Sequence, residues 1–138
     1  MSRVPSRSWT VPAQARNVAF VRESVIEFAS ENGVQEPRLS DVRLAVSEAV
    51  TNAVVHAFRA STEQGTVIVA VTVCPHKWIE IRVTDDGAGM APREDSPGLG
   101  LGLPLIRHLT DQFDHRRPPD GLGTELWMRF AFTDSQRR

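Results

Sequence analysis

The sequence predicts an α/β (α+β) two-layer sandwich in which helices cover one face of a mixed, mostly antiparallel sheet. Three observations carry this expectation. Val42, Val46, Ala49, Val50, Ala53, Val54 and Ala57 recur at helical spacing, so a long and largely buried helix is expected there. Residues 66–73 and 78–84 flank the turn-forming Cys74-Pro75-His76-Lys77 and read as a hairpin. Around these segments the order is strand, helix, helix, strand, strand, helix, strand, without an internal repeat or a long linker.

Residues 7–11 form a short edge strand, and Pro12 opens a first helix that closes near Gly33, with Val18, Val21, Val25 and Phe28 as its apolar face. Ser40 is placed to cap the second helix, with Leu39 before it and Leu44 at the fourth helical position as a hydrophobic staple. In the second strand of the hairpin Ile79, Ile81 and Val83 point one way, and Asp85 shares their parity. That strand ends by delivering a carboxylate to the edge of the core. A third helix is expected from about Leu103 to Asp111 with Pro104 in its first turn. A last strand from Glu125 to Phe132 buries Leu126, Met128, Phe130 and Phe132, and Thr124 falls on the same side.

At 138 residues the chain fits one domain, 1–138, with a core over about residues 7–132 that needs no covalent staple. A net charge of −1 with 41% hydrophobic residues carries neither a nucleic-acid footprint nor a disordered tail. Cys74 is the only cysteine, which excludes an intrachain disulfide and a thiolate metal cluster and fits a reducing compartment. No apolar run approaches the roughly eighteen residues of a spanning helix, and no apolar signal core follows the Arg-bearing N-terminus. A cytoplasmic protein is therefore expected, with no membrane or nucleic acid as a direct partner. Lys77 is the sole lysine, so there is no Gly-Lys-Ser/Thr phosphate loop and no strand lysine of the eukaryotic kinase type.

The long apolar helix carries a sparse polar stripe: Glu48, Asn52 and His56 stand one helical turn apart. Polar groups on so apolar a helix must meet something specific, and a nucleotide with its metal would meet that need. A buried water and a satisfied core histidine are the plainer readings of the same residues. Asp85-Asp86-Gly87-Ala88-Gly89 has the form Asp-x-Gly-x-Gly, where the acid can accept a bond from an amino group and the glycines admit a flat ring. An Asp-Gly turn at a strand end would look alike. Gly98-Leu99-Gly100-Leu101-Gly102 feeds a helix whose positive end suits phosphate, and reads best as a mobile lid. Gly123-Thr124 opens the last strand. Arg107, one turn into the third helix, could reach a phosphate or simply face solvent.

The order Glu-x-x-x-Asn, Asp-x-Gly-x-Gly, Gly-x-Gly-x-Gly, Gly-Thr resembles the histidine-kinase-like (Bergerat) ATPase fold shared by DNA gyrase, the Hsp90 chaperones, histidine kinases and MutL. Within it, Ser47-Glu48-Ala49-Val50-Thr51-Asn52-Ala53-Val54-Val55-His56-Ala57-Phe58 looks most like the bacterial anti-sigma factor serine/threonine kinases, over about residues 7–132. The resemblance implies ATP and Mg²⁺ as cofactors. It implies that Asn52 coordinates the magnesium, that Asp85 binds the adenine amino group and that Thr124 supports it. Gly87 and Gly89 would line the base pocket, Gly98, Gly100 and Gly102 would form the lid over the phosphates, and Glu48 would be the general base. Only one of Asp85 and Asp86 should face the base.

The chain has no room for the dimerisation helix of a sensor kinase or for the second domain of gyrase and MutL. The expected function is an ATP-dependent protein serine/threonine kinase that phosphorylates a small anti-anti-sigma partner of the STAS type and holds a sigma factor inactive. A second copy of the chain is a further candidate partner. The competing reading is an ATP-loaded anti-sigma module with little transferase activity.

Overall fold

The computed structural model of the chain describes residues 4–60, 65–86, 99–117 and 123–132. Five strands and three helices follow one another: β1 (Ser6–Pro12), α1 (Arg16–Glu31), α2 (Arg38–Ala60), β2 (Thr66–Cys74), β3 (Trp78–Asp85), α3 (Leu99–Leu109), β4 (Gln112–Arg116) and β5 (Thr124–Ala131). The strands lie in the order β1-β2-β3-β5-β4. All four described pairings are antiparallel, where a mixed sheet was expected.

The added strand explains the difference. β4 carries one apolar residue, Phe113, among Gln112, Asp114, His115 and Arg116, so alternation could not single it out. It forms a ladder against β5, and the chain reverses once more before β5 settles beside β3.

β2, β3 and β5 alternate cleanly between buried and less buried residues, which is the period of two that a half-covered strand requires. Val67, Val69, Val71, Val73, Ile79, Ile81, Val83, Leu126, Met128 and Phe130 form the buried side. Val21, Val25 and Phe28 of α1, and Val42, Val46, Ala49, Val50 and Ala53 of α2, join them in one core. Ile106 of α3 is fully buried in the same cluster. Among the described residues no helix is long and apolar enough to cross a membrane.

Three boundaries differ from the sequence expectation, each for a local reason. Pro12 ends β1 instead of opening α1: its carbonyl accepts bonds from the Gln14 amide and the Asn17 side chain, and the helix begins at Arg16. Ser40 lies inside α2, because the Glu36 carboxylate reaches both its amide and its hydroxyl and takes the capping role. Leu44 is 42% exposed, so the staple with Leu39 does not form. Helix α3 begins at Leu99, four residues early, which puts Pro104 inside it and Gly100 and Gly102 in its first turn.

Arg38, the first residue of α2, ties the far ends of three elements together. It donates to the Ala131 carbonyl of β5 at 2.8 Å, to the Leu109 carbonyl at the end of α3 at 3.2 Å and to Asp41 at 3.0 Å. It also pairs with Asp111, whose carboxylate accepts the Ala131 amide.

Candidate functional site

Three polar side chains are buried among the described residues: Asn52, Asp85 and Thr124, each about 5% exposed. All three belong to the motifs that the sequence singled out. Their burial follows from where the elements put them. Asn52 lies on the apolar side of α2 between Ala49 and Ala53, and α2 packs over β3 and β5. Asp85 is the last residue of β3 and keeps the inward parity of Ile81 and Val83, as expected. Thr124, the first residue of β5, pairs directly with Asp85 in the ladder, so the two side chains stand side by side on the helix-facing surface.

Gly123 makes that juxtaposition sterically feasible. Its φ is +74°, and a Cβ there would stand 1.8 Å from the Asp85 carbonyl oxygen. Any other residue would push β5 off the end of β3. Sequence reading named the Gly-Thr pair but gave the glycine no role, and the signal available was its position just before an inward threonine.

Asp86 points elsewhere. It is exposed, and its carboxylate accepts the Thr66 amide at 2.8 Å while its own amide donates to the Thr66 carbonyl at 3.3 Å. The second acid therefore closes the start of β2 against the end of β3, and only the first is turned inward.

On α2, exposure falls along one stripe: Leu44 is exposed, Glu48 half-buried and Asn52 buried. The stripe runs from the surface towards the buried polar group, and Glu48 is the partly exposed residue one turn before Asn52. The Asn52 side-chain nitrogen is buried without a hydrogen-bond partner. A buried amide donor left unpaired costs about 1–3 kcal/mol, and a bound ligand with acceptor oxygens would relieve that cost.

No group of three or more His, Cys, Asp or Glu residues able to hold a metal occurs among the described residues. Magnesium characteristically takes one or two protein oxygens and completes its octahedron with phosphate and water, and the Asn52 amide oxygen is a donor of the right hardness.

A cavity of about 280 Å³ opens beside Thr124 and Gly123 and is rimmed by His115, Arg116 and Arg117. Burial holds the His115 imidazole below its ordinary value, with Asp114 opposing and Arg117 reinforcing that shift. Arg107 is exposed and lies over the Phe113 ring at 5.3 Å, which braces α3 against β4. Gly100 and Gly102 lie in the first turn of α3, whereas Gly87, Gly89 and Gly98 lie outside the described residues. His56 is part of α2.

A buried carboxylate opposite a threonine at a strand end thus lies beneath a helix with an unpaired buried amide. Residues 11–130 match the histidine kinase-like ATPase domain family. The chain belongs to that family. Within it, several curated relatives are anti-sigma F factors. One from Clostridium acetobutylicum is 31% identical over 87% of this chain and 89% of its own length. Another from Clostridium perfringens is 36% identical over 85% of this chain and 89% of its own. A third from Pasteuria penetrans is 33% identical, covering 83% and 82%. Among solved structures, a mycobacterial sensor histidine kinase, MprB, superposes with a TM-score of 0.55 at 19% identity over 91% of this chain and 97% of its own, a likeness of fold.

Proposed function

We propose that this histidine kinase-like ATPase domain is an anti-sigma regulator that binds Mg-ATP and transfers its γ-phosphate to a serine of a small anti-anti-sigma (STAS-type) protein. The observation that carries the reading is the Asn52 side-chain nitrogen, buried without a hydrogen-bond partner on the helix that covers β3 and β5, because an unpaired buried amide calls for a ligand with acceptor oxygens. The curated relatives, whose name says that they counter sigma F, point to a sigma factor as the regulated partner.

In this reading Asp85 accepts a hydrogen bond from the exocyclic amine of adenine, Thr124 supports the same edge, and Gly87 and Gly89 let the ring approach the backbone. Asn52 would hold Mg²⁺ by its amide oxygen, and the ion would supply neutralisation of the phosphate charge. Gly98, Gly100 and Gly102 cover the phosphates from the start of α3, where amides and the helix dipole favour anions. Glu48, partly exposed one turn before Asn52, takes the proton from the serine hydroxyl as its oxygen bonds to the γ-phosphorus. The bond from that phosphorus to the β–γ bridging oxygen breaks, and ADP leaves. Glu48 would repel phosphate in direct contact, so a place beside the transferring group suits it. The partner carries the acceptor serine, and the chain works as one cytoplasmic domain.

The test is single-turnover transfer from γ-labelled ATP to an anti-anti-sigma protein, with nucleotide affinity measured in the same preparation. Glu48→Gln is expected to keep ATP affinity and to slow transfer by roughly 10²–10⁴-fold. An unchanged rate removes Glu48 from the mechanism. Tight ATP binding by the wild type with no transfer to any antagonist leaves an ATP-loaded anti-sigma module in place of a kinase.

A further inference from the structure

The line of polar side chains at the end of the sheet does not stop at Asp85 and Thr124. Strand β4 lies on the far side of β5, and its ladder runs from Gln112 opposite Arg129 to Arg116 opposite Glu125. Phe113 and His115 stand opposite the buried Met128 and Leu126, so they share the face that the helices cover. Asp114 and Arg116 stand opposite Trp127 and Glu125 on the open face, where the Arg116 guanidinium bonds Asp114 at 3.0 Å and lies 4.8 Å from the Trp127 ring. One residue further, alternation returns Arg117 to the covered face beside Thr124. Both line the cavity of about 280 Å³, together with His115 and Gly123. The end of the sheet thus presents, at strand spacings of about 4.8 Å, the Asp85 carboxylate on β3, the Thr124 hydroxyl on β5 and the Arg117 guanidinium just past β4. An ionised carboxylate only accepts, a guanidinium only donates, and a hydroxyl does either. His115 walls the same cavity without adding a second charge near pH 7, because burial holds its imidazole below the ordinary value and Arg117 reinforces that against Asp114.

A carboxylate by itself does not choose between purines. Adenine offers it the 6-amino group, whereas guanine offers N1–H and the 2-amino group and brings a carbonyl at C6 that needs a donor. A pocket with the acid and no donor beside it leaves that carbonyl unpaired and rejects guanine. Here the donor is present, one strand beyond Thr124. We propose that Arg117 is a base-specificity residue that admits 6-oxopurines, so that the site takes guanine nucleotides as well as adenine nucleotides. In this pose N1–H and the 2-amino group of guanine donate to Asp85, and its carbonyl accepts from Thr124 and Arg117. Adenine uses only the first two groups of the line, with its 6-amino group on Asp85 and its N1 accepting from Thr124. Arg117 therefore matters to one base and little to the other. The inference rests on the proposed role of Asp85 in holding the base, and adds the width of the seat and the class of nucleotide it accepts.

The experiment is calorimetric titration of the full-length chain, in magnesium buffer, with ADP, GDP and IDP, whose hypoxanthine keeps the carbonyl and lacks the 2-amino group. GDP is expected to bind the wild type within about tenfold of ADP. Arg117→Ala is expected to weaken GDP and IDP by about tenfold or more, as for a lost bond from a charged donor, and ADP by less than about threefold. Arg117→Gln, which keeps an N–H donor, is expected to recover part of the GDP affinity, and circular dichroism checks the fold of both variants. ADP binding with GDP more than about a hundredfold weaker overturns the inference and leaves the adenine site standing. An unchanged GDP affinity in Arg117→Ala overturns it as well, and so do equal losses for ADP and GDP, which would assign Arg117 to the phosphates that the two share. A wild type that binds neither nucleotide removes the base-holding role of Asp85 and the inference with it.

Discussion

Asp85 and Asp86 are adjacent in the chain and differ in everything that decides their use. Asp85 is buried opposite Thr124, while Asp86 is exposed and occupied by the Thr66 amide. Strand parity alone separates them, since consecutive side chains leave a strand on opposite faces. Asp85→Asn is therefore expected to weaken adenine nucleotide binding by the loss of a bond to a charged group, about 1.5–3 kcal/mol, because an amide can present its donor end to the amine. Asp86→Asn retains an acceptor for the Thr66 amide, and is expected to change nucleotide affinity little. Calorimetric titration of both variants with ADP compares them directly. A larger loss for Asp86→Asn reverses the assignment.

Among the elements, α3 is the one whose two ends are treated most differently. Its first turn contains Gly100 and Gly102, residues of low helix propensity, while its last carbonyls are held by Arg38 and by the Thr110 amide and hydroxyl. Arg38 works as a planar fork, reaching Leu109, Ala131, Asp41 and Asp111 at once and lying 5.8 Å from the Phe130 ring. Arg38→Ala is expected to destabilise the fold by about 2–3 kcal/mol, read by urea unfolding, because several charge-assisted bonds and ring packing go together. Arg38→Lys is expected to recover only part, since an ammonium cannot span the same set of oxygens. Full stability in the alanine variant would mean that the junction of α2, α3 and β5 is held by packing alone.

At the scale of the molecule, the open sheet face also sets a pH dependence. Burial pushes the Glu80 carboxyl up, but bonds from Trp127 and Arg129, with the charges of Arg129 and Arg82, hold it below its ordinary 4.5. A carboxyl whose folded value is depressed contributes stability that is present above the unfolded value and lost as pH falls through the folded one. His115 adds loss in the same direction at higher pH: burial favours its neutral imidazole, so acidification below its ordinary 6.5 favours the unfolded chain. Unfolding free energy is expected to decline from about pH 7 downwards and more steeply below about pH 4.5. In Glu80→Gln the steeper limb is expected to flatten, and an unaltered acid limb would dissociate Glu80 from it.

What the sequence determined by itself was whatever depends on period and parity. Alternation in β3 and β5 turned Asp85 and Thr124 inward, and the helical stripe placed Glu48 and Asn52 on one side of α2. The apolar faces of α1 and α2 were legible for the same reason. Tertiary structure decided what depends on partners distant in the chain. β4 exists because β5 offers it a ladder, although its own residues are mostly polar. Glu36 displaced Ser40 as the cap because its carboxylate folds back onto the helix start. The need for glycine at 123 came from the Asp85 carbonyl, thirty-eight residues away. Ser8 and Trp127 likewise come into one line across four strands only through the register of the sheet. Local spacing chooses which way a side chain points; only the assembled sheet chooses what it meets.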